Sequence, residues 1–257
     1  VQADVLRKQN FDLNANFNVT TQNNKITKLG DPYVSGAFRR AEGYDYQEYF
    51  LYPWAGVDPA NGDPLYYTDE TKTATTNLLN KTKRIYDGKT ATPKYIGSFG
   101  FSARYGAFTI NTTASYALGH HLYEYAERFY NGDGAMLPRS TSKWAWENRW
   151  TKPGDVVKVP KQKWGGSANN NPNYNDRYLY KGDYMRLKDV GVSYRIPETL
   201  ANRMGMESLT LDVRLNNYLT WVADGDLHID PEQPFNGVYE TTSPNMKTIS
   251  IGFNTVF

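Results

Sequence analysis

The chain has 257 residues, and 29 basic against 27 acidic side chains leave a net charge of +2, which gives no general electrostatic attraction to nucleic acid. It contains no cysteine, which excludes disulfide bonds and thiolate metal sites within it. No apolar run approaches the length of a transmembrane helix, whereas 21 Tyr, 11 Phe and 6 Trp suit β-strands and membrane interfaces.

Alternation of apolar and polar side chains, with a period of two residues, recurs along the chain and predicts β-strands. The first clear run places Phe11, Leu13 and Phe17 on one face and Asn14 and Asn16 on the other. Strands of about ten residues are long enough to cross a bilayer when they are tilted. In chain order, the predicted strands lie near residues 10–22, 44–54, 93–105, 107–119, 178–196, 208–222 and 247–257, with short pieces near 25–29 and 64–68.

The predicted connections between strands differ greatly in length. Residues 105–107 form a tight turn, whereas about sixty residues separate Leu118 from Arg177, with helical stretches predicted over 120–130 and 142–150. Outer-membrane barrels have short turns on one side and long loops on the other. The pattern therefore favours an all-β, antiparallel transmembrane β-barrel with long extracellular loops. The alternative is a secreted β-sandwich module that binds polysaccharide, in which the apolar face of the sheet packs the core.

Five stretches resemble the C-terminal third of the SusC/RagA family of TonB-dependent transporters, and they follow one another in order across nearly the whole chain. The resemblance implies that residues 1–257 form the last seven to nine strands of a 22-stranded barrel, multi-pass in the outer membrane of a Gram-negative cell. The plug domain and the N-terminal strands of that family are then absent from this sequence. The five stretches are 54–67 (WAGVDPANGDPLYY), 92–101 (TPKYIGSFGF), 148–155 (NRWTKPGD), 184–194 (YMRLKDVGVSY) and 244–253 (PNMKTISIGF).

The same resemblance implies the partners of the chain. A SusD-like surface lipoprotein caps such a barrel, TonB drives it through the absent N-terminal part, and the cargo is a glycan or a peptide. Outer-membrane lipid and the remaining strands of the barrel surround the chain. If the last strand ends in the periplasm, the loops 119–176 and 223–247 are extracellular and the turn 105–107 is periplasmic. The edge strands, predicted at 10–22 and 247–257, then pair with other strands of the same barrel.

Aromatic residues of the longest loop are the first candidates for contact with a ligand or with the lipoprotein cap. Trp144, Trp146 and Trp150 can stack on a ligand, or they can pack as the loop's own small core. Phe257 is a candidate assembly signal for insertion into the membrane, because it continues the apolar phase of the last predicted strand.

Acidic residues of the last large loop are the second set of candidates. Contact with ligand or cap is one interpretation, calcium is another because two of the carboxylates stand two residues apart, and a solvated acidic loop is the simplest. No motif of nucleophilic, metal-dependent or nucleotide-dependent catalysis occurs. We therefore predict a transport protein without catalytic residues, metal or cofactor. The acidic candidates are Asp224, Asp226, Asp230 and Glu232.

Overall fold

The computed structural model describes residues 1–134, 140–166, 174–234 and 236–257, and over these residues the chain is all-β with a few short helices. The helices are α1 (Glu127–Tyr130), α2 (Lys143–Glu147) and α3 (Glu198–Arg203), and 3₁₀ turns cover Leu79–Lys81 and Asp176–Tyr178. None of the helices in these described ranges is long and apolar enough to span a membrane. The strands are β1 (Gln2–Lys8), β2 (Phe11–Thr21), β3 (Tyr33–Ser35), β4 (Phe38–Arg40), β5 (Glu48–Leu51), β6 (Trp54–Val57), β7 (Pro64–Tyr67), β8 (Thr75–Thr76), β9 (Ile85–Thr90), β10 (Tyr95–Tyr105), β11 (Phe108–Leu118), β12 (His121–Glu124), β13 (Leu179–Lys181), β14 (Tyr184–Arg195), β15 (Ser208–Val222), β16 (Val238–Tyr239) and β17 (Thr248–Val256).

Seven of these strands form one long antiparallel sheet. Their order is β1-β2-β10-β11-β14-β15-β17, so each strand pairs with the next long strand along the chain. The edge strands β1 and β17 each pair with one strand in the described part of the chain, and the sheet is open within it. The prediction of an all-β fold built on antiparallel strands is therefore confirmed.

Several predictions about individual strands are wrong. The segment 44–54 is not one long strand: it holds the four-residue β5, which belongs to a small sheet with β3, β4 and β9, and the first residue of β6. The first edge of the long sheet is β1 and not the strand predicted at 10–22. Alternation missed β1 because a β-bulge between Asp4 and Leu6 shifts its register.

Other predicted elements are partly right. The segment 178–196 contains two strands, β13 and β14, which belong to different sheets. The helices α1 and α2 lie within the predicted helical stretches, but residues 121–124 form β12. The piece predicted at 64–68 matches β7, whereas residues 25–29 form no strand. Short apolar runs carry too little periodicity to show whether a segment forms a helix, a strand or neither.

The strand register places apolar side chains on one face of the long sheet from β2 to β17. On this face Ile251 is 82% exposed and Val213 is 43% exposed, and no second sheet of the described residues covers them. In a β-sandwich, a facing sheet would bury such a row. The exposed face therefore contradicts the sandwich alternative. One directly paired row runs Leu13, Ala103, Ile110, Val192, Val213 and Ile251.

The opposite face of the long sheet is polar along the neighbouring rows. Asp212 accepts hydrogen bonds from Ser193 at 2.5 Å and from Asn254 at 2.8 Å, so polar side chains link three adjacent strands. The register of the strands therefore places apolar side chains on one face of the long sheet and polar side chains on the other, as predicted. One polar row runs Asn14, Ser102, Asn111, Gly191, Arg214 and Ser250.

Connections alternate between the two ends of the sheet, because neighbouring strands are antiparallel. At one end they are short: β1 joins β2, β10 joins β11 and β14 joins β15 there. At the other end lie three long segments, which we call the first (22–94), second (119–183) and third (223–247) connections. All the small sheets lie in these segments, so the predicted asymmetry between short and long connections is confirmed.

The three long connections pack on a common hydrophobic core. The hydroxyl of Tyr49 lies 3.0 Å from the carbonyl oxygen of His121 and 2.6 Å from that of Gly237, so one side chain contacts parts of all three connections. Gly237 has a φ of +80°, and a Cβ atom there would lie 2.7 Å from the Tyr49 hydroxyl. This contact therefore requires glycine. The buried core residues are Ala37, Phe38, Tyr49, Leu51, Ala91, Tyr123 and Tyr178.

We expect Gly97→Ala to destabilise the long sheet by about 1–3 kcal/mol, because over-packing forces strands or side chains apart. An added Cβ would lie 2.2 Å from the carbonyl oxygen of Asn18 and 2.5 Å from the hydroxyl of Tyr116, which donates to that same oxygen. Gly252→Ala is the control, since a Cβ there meets nothing within 4 Å. The measurement is the midpoint of thermal unfolding in detergent. Equal midpoints for the two variants would contradict the role of Gly97.

Candidate functional site

A cavity of about 290 Å³ lies between the three long connections, and we call it the inter-connection cavity. Small-molecule pockets usually measure about 300–1,000 Å³, so this one suits a small ligand or one part of a larger ligand. Its lining comes from segments far apart in the sequence, and only the packing of the connections brings them together. The principal lining residues are Trp54, Glu127, Trp144, Arg177, Tyr180 and Asp226.

Local structure orients the two tryptophans of the inter-connection cavity. Ser142 caps the N-terminus of α2 by accepting a hydrogen bond from the Ala145 amide at 3.0 Å, and Trp144 lies in the first turn of that helix. The Trp54 amide donates to the Asp176 carboxylate at 2.6 Å, which ties the first connection to the second. Trp144 is 38% exposed, so part of its indole surface is open to a ligand.

A buried polar cluster forms one side of the cavity. Glu127 is 5% exposed and accepts hydrogen bonds from the Asn131 side chain at 2.8 Å and from the Tyr180 hydroxyl at 2.6 Å. The guanidinium of Arg177 lies 5.0 Å from the ring centre of Trp54 and donates to the Asn131 carbonyl oxygen at 3.1 Å. These contacts hold a carboxylate and a guanidinium in place beside aromatic rings. Such a lining can bind a polar ligand by hydrogen bonds and stacking.

Glu124 adds a titratable group at the joint between two connections. It ends β12, which pairs in parallel with β16 through Glu124 and Tyr239. Burial raises the pKa of Glu124 to about 7, the charge of Glu127 adds to the rise, and a hydrogen bond from Tyr130 opposes it. Its Oε2 atom has no hydrogen-bond partner in the described part of the structure. The carboxyl therefore changes its charge near neutral pH where the second and third connections meet.

A buried ion network joins the third connection to the polar face of the long sheet. Arg186 of β14 has a side chain only 3% exposed, and it lies 2.5 Å from Asp230 and 3.3 Å from Glu232. Lys188 approaches Glu232 at 2.6 Å, and the Asn245 amide donates to Asp230 at 2.8 Å. These contacts fold the third connection back against the sheet.

The structure divides the predicted site residues into two groups. Trp144 and Asp226 both line the inter-connection cavity, although they lie in different connections. Asp226 also forms an ion pair with Lys158 at 3.0 Å. The remaining predicted residues of the long connections lie outside the cavity: Trp146, Trp150, Asp224, Asp230 and Glu232.

Two of the predicted tryptophans make contacts within the connections. The Trp150 indole donates to the carbonyl oxygen of Pro59 at 3.0 Å, and a Cβ atom at Gly62 would lie 2.5 Å from its ring. Trp150 therefore packs the second connection against the first. Trp146 is 55% exposed, and the guanidinium of Arg149 lies 3.3 Å from its ring centre.

The acidic candidates are held by groups of the chain itself. Asp224 accepts from the Lys181 amide at 3.1 Å, while Asp230 and Glu232 belong to the ion network of Arg186. No cluster of three or more His, Cys, Asp or Glu that could hold a metal occurs among the residues that the structure describes. Contact between these predicted residues and a ligand or a lipoprotein cap stays a prediction. The expectation of no cofactor, with calcium as the alternative, also stays a prediction.

Two further predictions concern Phe257 and the loop 119–176. Phe257 follows β17 and is 84% exposed, and its role as an assembly signal stays a prediction. The loop predicted at 119–176 includes residues 135–139 and 167–173, which lie outside the described residues.

Sequence reasoning missed four of the six principal lining residues of the cavity: Trp54, Glu127, Arg177 and Tyr180. One signal was available, because residues 123–130 (YEYAERFY) mix ionisable and aromatic side chains. Ionisable side chains within such an aromatic run indicate a buried hydrogen-bonded network. The other lining residues carry no local signal, since their role depends on the packing of separate connections.

No protein-family model matches the chain. It is 27% identical over 175 residues to TonB-dependent receptor P3 of Formosa agariphila, an alignment that covers 65% of this chain and 16% of the receptor. TonB-dependent receptor P26 of the same organism is 28% identical over 120 residues, which cover 43% of this chain and 12% of the receptor. The chain thus spans a small part of the length of the curated relatives that it matches.

Solved structures share the fold over almost the entire chain. The structure of the RagAB peptide transporter matches with a TM-score of 0.84 at 22% identity, over 99% of this chain and 28% of the matched one. The structure of the RagAB peptide importer in the closed-closed state matches with a TM-score of 0.81 at 21% identity, also over 99% and 28%. The resemblance to SusC/RagA-like TonB-dependent transporters is confirmed. The names of these relatives are those of receptors and transporters.

For this SusC/RagA-like chain, we expect Glu124→Gln to make the joint between β12 and β16 less sensitive to pH. Between about pH 4.5 and 7 an exposed carboxyl ionises whereas the buried one keeps its proton, so the folded state loses stability as pH rises. The loss between pH 5 and 8 should be about 2–3 kcal/mol in the native chain and small in the variant.

Hydrogen exchange of the β12 and β16 amides at pH 5 and pH 8, corrected for intrinsic exchange, measures this difference. Glu147→Gln is the control, because the Glu147 side chain is 59% exposed. If Glu124→Gln and Glu147→Gln show the same pH dependence, the carboxyl of Glu124 does not titrate at the joint.

We also expect Arg186→Gln to release the third connection. The change leaves the carboxylate of Asp230 buried without its cation, which costs about 3–5 kcal/mol. Limited proteolysis within residues 223–247 should then accelerate by about two orders of magnitude or more. Arg214→Gln is the control on the neighbouring strand, because the Arg214 side chain is 60% exposed and its ion pair with Asp189 contributes little. Unchanged cleavage in the Arg186 variant would rule out the ion network as the anchor.

Proposed function

We propose that this chain forms part of the barrel wall and outer loops of a SusC-like, TonB-dependent active transporter in the outer membrane of a Gram-negative cell. The observation that carries the proposal is the exposed apolar face of the long sheet. On β17 alone, Ile251 is 82% exposed and Phe253 is 70% exposed. A face of this kind is stable against hydrocarbon, and the polar face then lines the lumen.

The edges of the long sheet support a larger barrel. If β1 and β17 stood alone in hydrocarbon, each would leave a row of backbone N–H and C=O groups unpaired, and each such group costs several kcal/mol. We propose that both strands pair with further strands of the same polypeptide in a barrel of about 22 strands. Residues 1–257 then form the C-terminal part of that barrel. The plug and the segment that contacts TonB lie outside this sequence.

The long connections support an extracellular role in uptake. All three gather at one end of the sheet around one core and enclose the inter-connection cavity. We propose that this end faces the outside, contacts a SusD-like surface lipoprotein and meets the glycan or peptide cargo. The name of the RagAB peptide transporter supports a peptide as one class of cargo. Phe257 serves in this proposal as the assembly signal at the periplasmic end of β17.

Single cysteines test the orientation of the barrel, since this chain has no cysteine of its own. Val156, in the second connection, is 89% exposed, and Ala107, in the β10–β11 turn, is also exposed. On intact cells, a membrane-impermeant maleimide should label Val156→Cys, whereas Ala107→Cys should react only after the outer membrane is permeabilised. If Ala107→Cys alone is labelled on intact cells, the barrel has the opposite orientation to the one proposed. Recovery of the native gene product in a soluble fraction would refute the membrane barrel itself.

A further inference from the structure

We propose that Arg40 of the first connection binds the carboxylate of an Asp or Glu that belongs to another outer segment of the same barrel, outside this sequence. The proposal rests on the proposed function, because it takes residues 1–257 as part of a larger barrel. It assigns a contact within the transporter and not a site for cargo.

The guanidinium of Arg40 is a buried cation that this chain leaves incompletely paired. Arg40 ends β4 and is 7% exposed. Its Nε and Nη1 atoms are buried and have no hydrogen-bond partner among the residues that the structure describes. Its Cζ atom lies 4.3 Å from the ring centre of Tyr46 and 4.8 Å from that of Phe38. Contacts with aromatic rings offset only part of the cost of taking a cation out of water, so this guanidinium requires an anion.

The three carboxylates nearest to this guanidinium in the sequence are held by other groups. Glu42 accepts a hydrogen bond from the amide of Leu29 at 2.7 Å, and Asp45 accepts one from the hydroxyl of Thr92 at 2.9 Å. Glu48 accepts one from the amide of Asp45 at 3.3 Å. The residues outside the described ranges contain no Asp or Glu. We therefore look for the anion outside this sequence, and a carboxylate matches a guanidinium in charge and in planar, two-pronged geometry.

Exposed aromatic and apolar side chains lie beside Arg40, and we call them the β3 surface: Tyr33, Val34, Tyr44 and Tyr46. Tyr33 is directly opposite Arg40 in the β3–β4 pair and is 48% exposed, and Tyr46 is 49% exposed. Within the described part of the chain β3 pairs only with β4, so its outer edge is open. Tyrosine and arginine are among the residues that dominate the centres of protein interfaces. The β3 surface therefore suits contact with another protein segment.

The position of the first connection indicates which segment covers the β3 surface. The first connection follows β2, and β2 is the neighbour of the edge strand β1. β1 begins at the end of the long sheet where the three long connections lie, because its short turn to β2 is at the other end. In the proposed barrel, the outer segment that leads into β1 emerges beside the first connection. An Asp or Glu on that segment is the carboxylate that we assign to Arg40.

Hydrogen exchange of residues 33–40, measured on the complete polypeptide in detergent after bound proteins are removed, tests this pair. In a buffer without carboxylates, Arg40→Met should accelerate exchange by about 100-fold or more, because it leaves a buried carboxylate without its cation. Arg40→Lys keeps the charge and should accelerate exchange less. A role in packing alone predicts the reverse order, since methionine fits well between aromatic rings.

Arg39→Met is the matched control on the same strand. Arg39 also lies against two rings, with its Cζ atom 5.3 Å from the ring centre of Phe50 and 5.9 Å from that of Tyr86, but it is only partly buried. Losing such a contact should accelerate exchange by about fivefold or less.

Three results would overturn the inference. The first is that Arg40→Met exchanges as slowly as the native chain or as Arg39→Met. The second is that the native chain is protected only when sodium acetate is added, and not with sodium chloride at the same ionic strength, which would identify a free ion. The third is that protection requires another bound protein. Each of these results, obtained with the cysteine-labelling pattern as proposed, refutes the assignment of Arg40 and leaves the transporter assignment standing.

Discussion

The backbone ladder between successive long strands is the interaction on which the rest of the structure depends. Each long strand pairs with the next one along the chain, so apolar side chains fall on one face and polar side chains on the other in continuous rows. The register also decides where the chain turns, since antiparallel neighbours must exchange ends. An exposed apolar face and a cluster of long segments at one end are both consequences of this pairing.

The long connections form a hydrophobic core of their own, separate from the long sheet. The long sheet exposes its apolar face, so the buried apolar residues gather instead around Tyr49 and Tyr123 in the connections. The Tyr49 hydroxyl contacts carbonyl oxygens of the other two connections, and Gly237 leaves room for it. The connections thus form a structured platform and not independent loops. A cavity between them can therefore keep a defined shape.

Buried charges lie where one part of the structure meets another. Arg186 joins the third connection to the sheet, Glu127 stands at the cavity, and Glu124 lies at the joint of β12 and β16. Buried ions stabilise only when they are paired and hydrogen-bonded, so they favour one arrangement of the two parts over others. Asp230 reaches Arg186 only when the third connection lies on the polar face of the long sheet.

The sequence by itself determined the all-β class, the two faces of most long strands and the contrast between short and long connections. Strand alternation is local, so it could be read at Phe11–Asn16 and again along β10, β11, β15 and β17. Prediction from alternation failed at β1, because a β-bulge interrupts the alternation of apolar and polar side chains. It also failed at 44–54, because aromatic residues of that segment pack into the core of the connections. Trp144 and Asp226 were candidates from composition, but their meeting with Trp54, Glu127 and Arg177 depends on contacts between segments distant in sequence. Such contacts leave no periodic trace, so only the tertiary structure could decide which aromatic and acidic residues share a cavity and which anchor the fold.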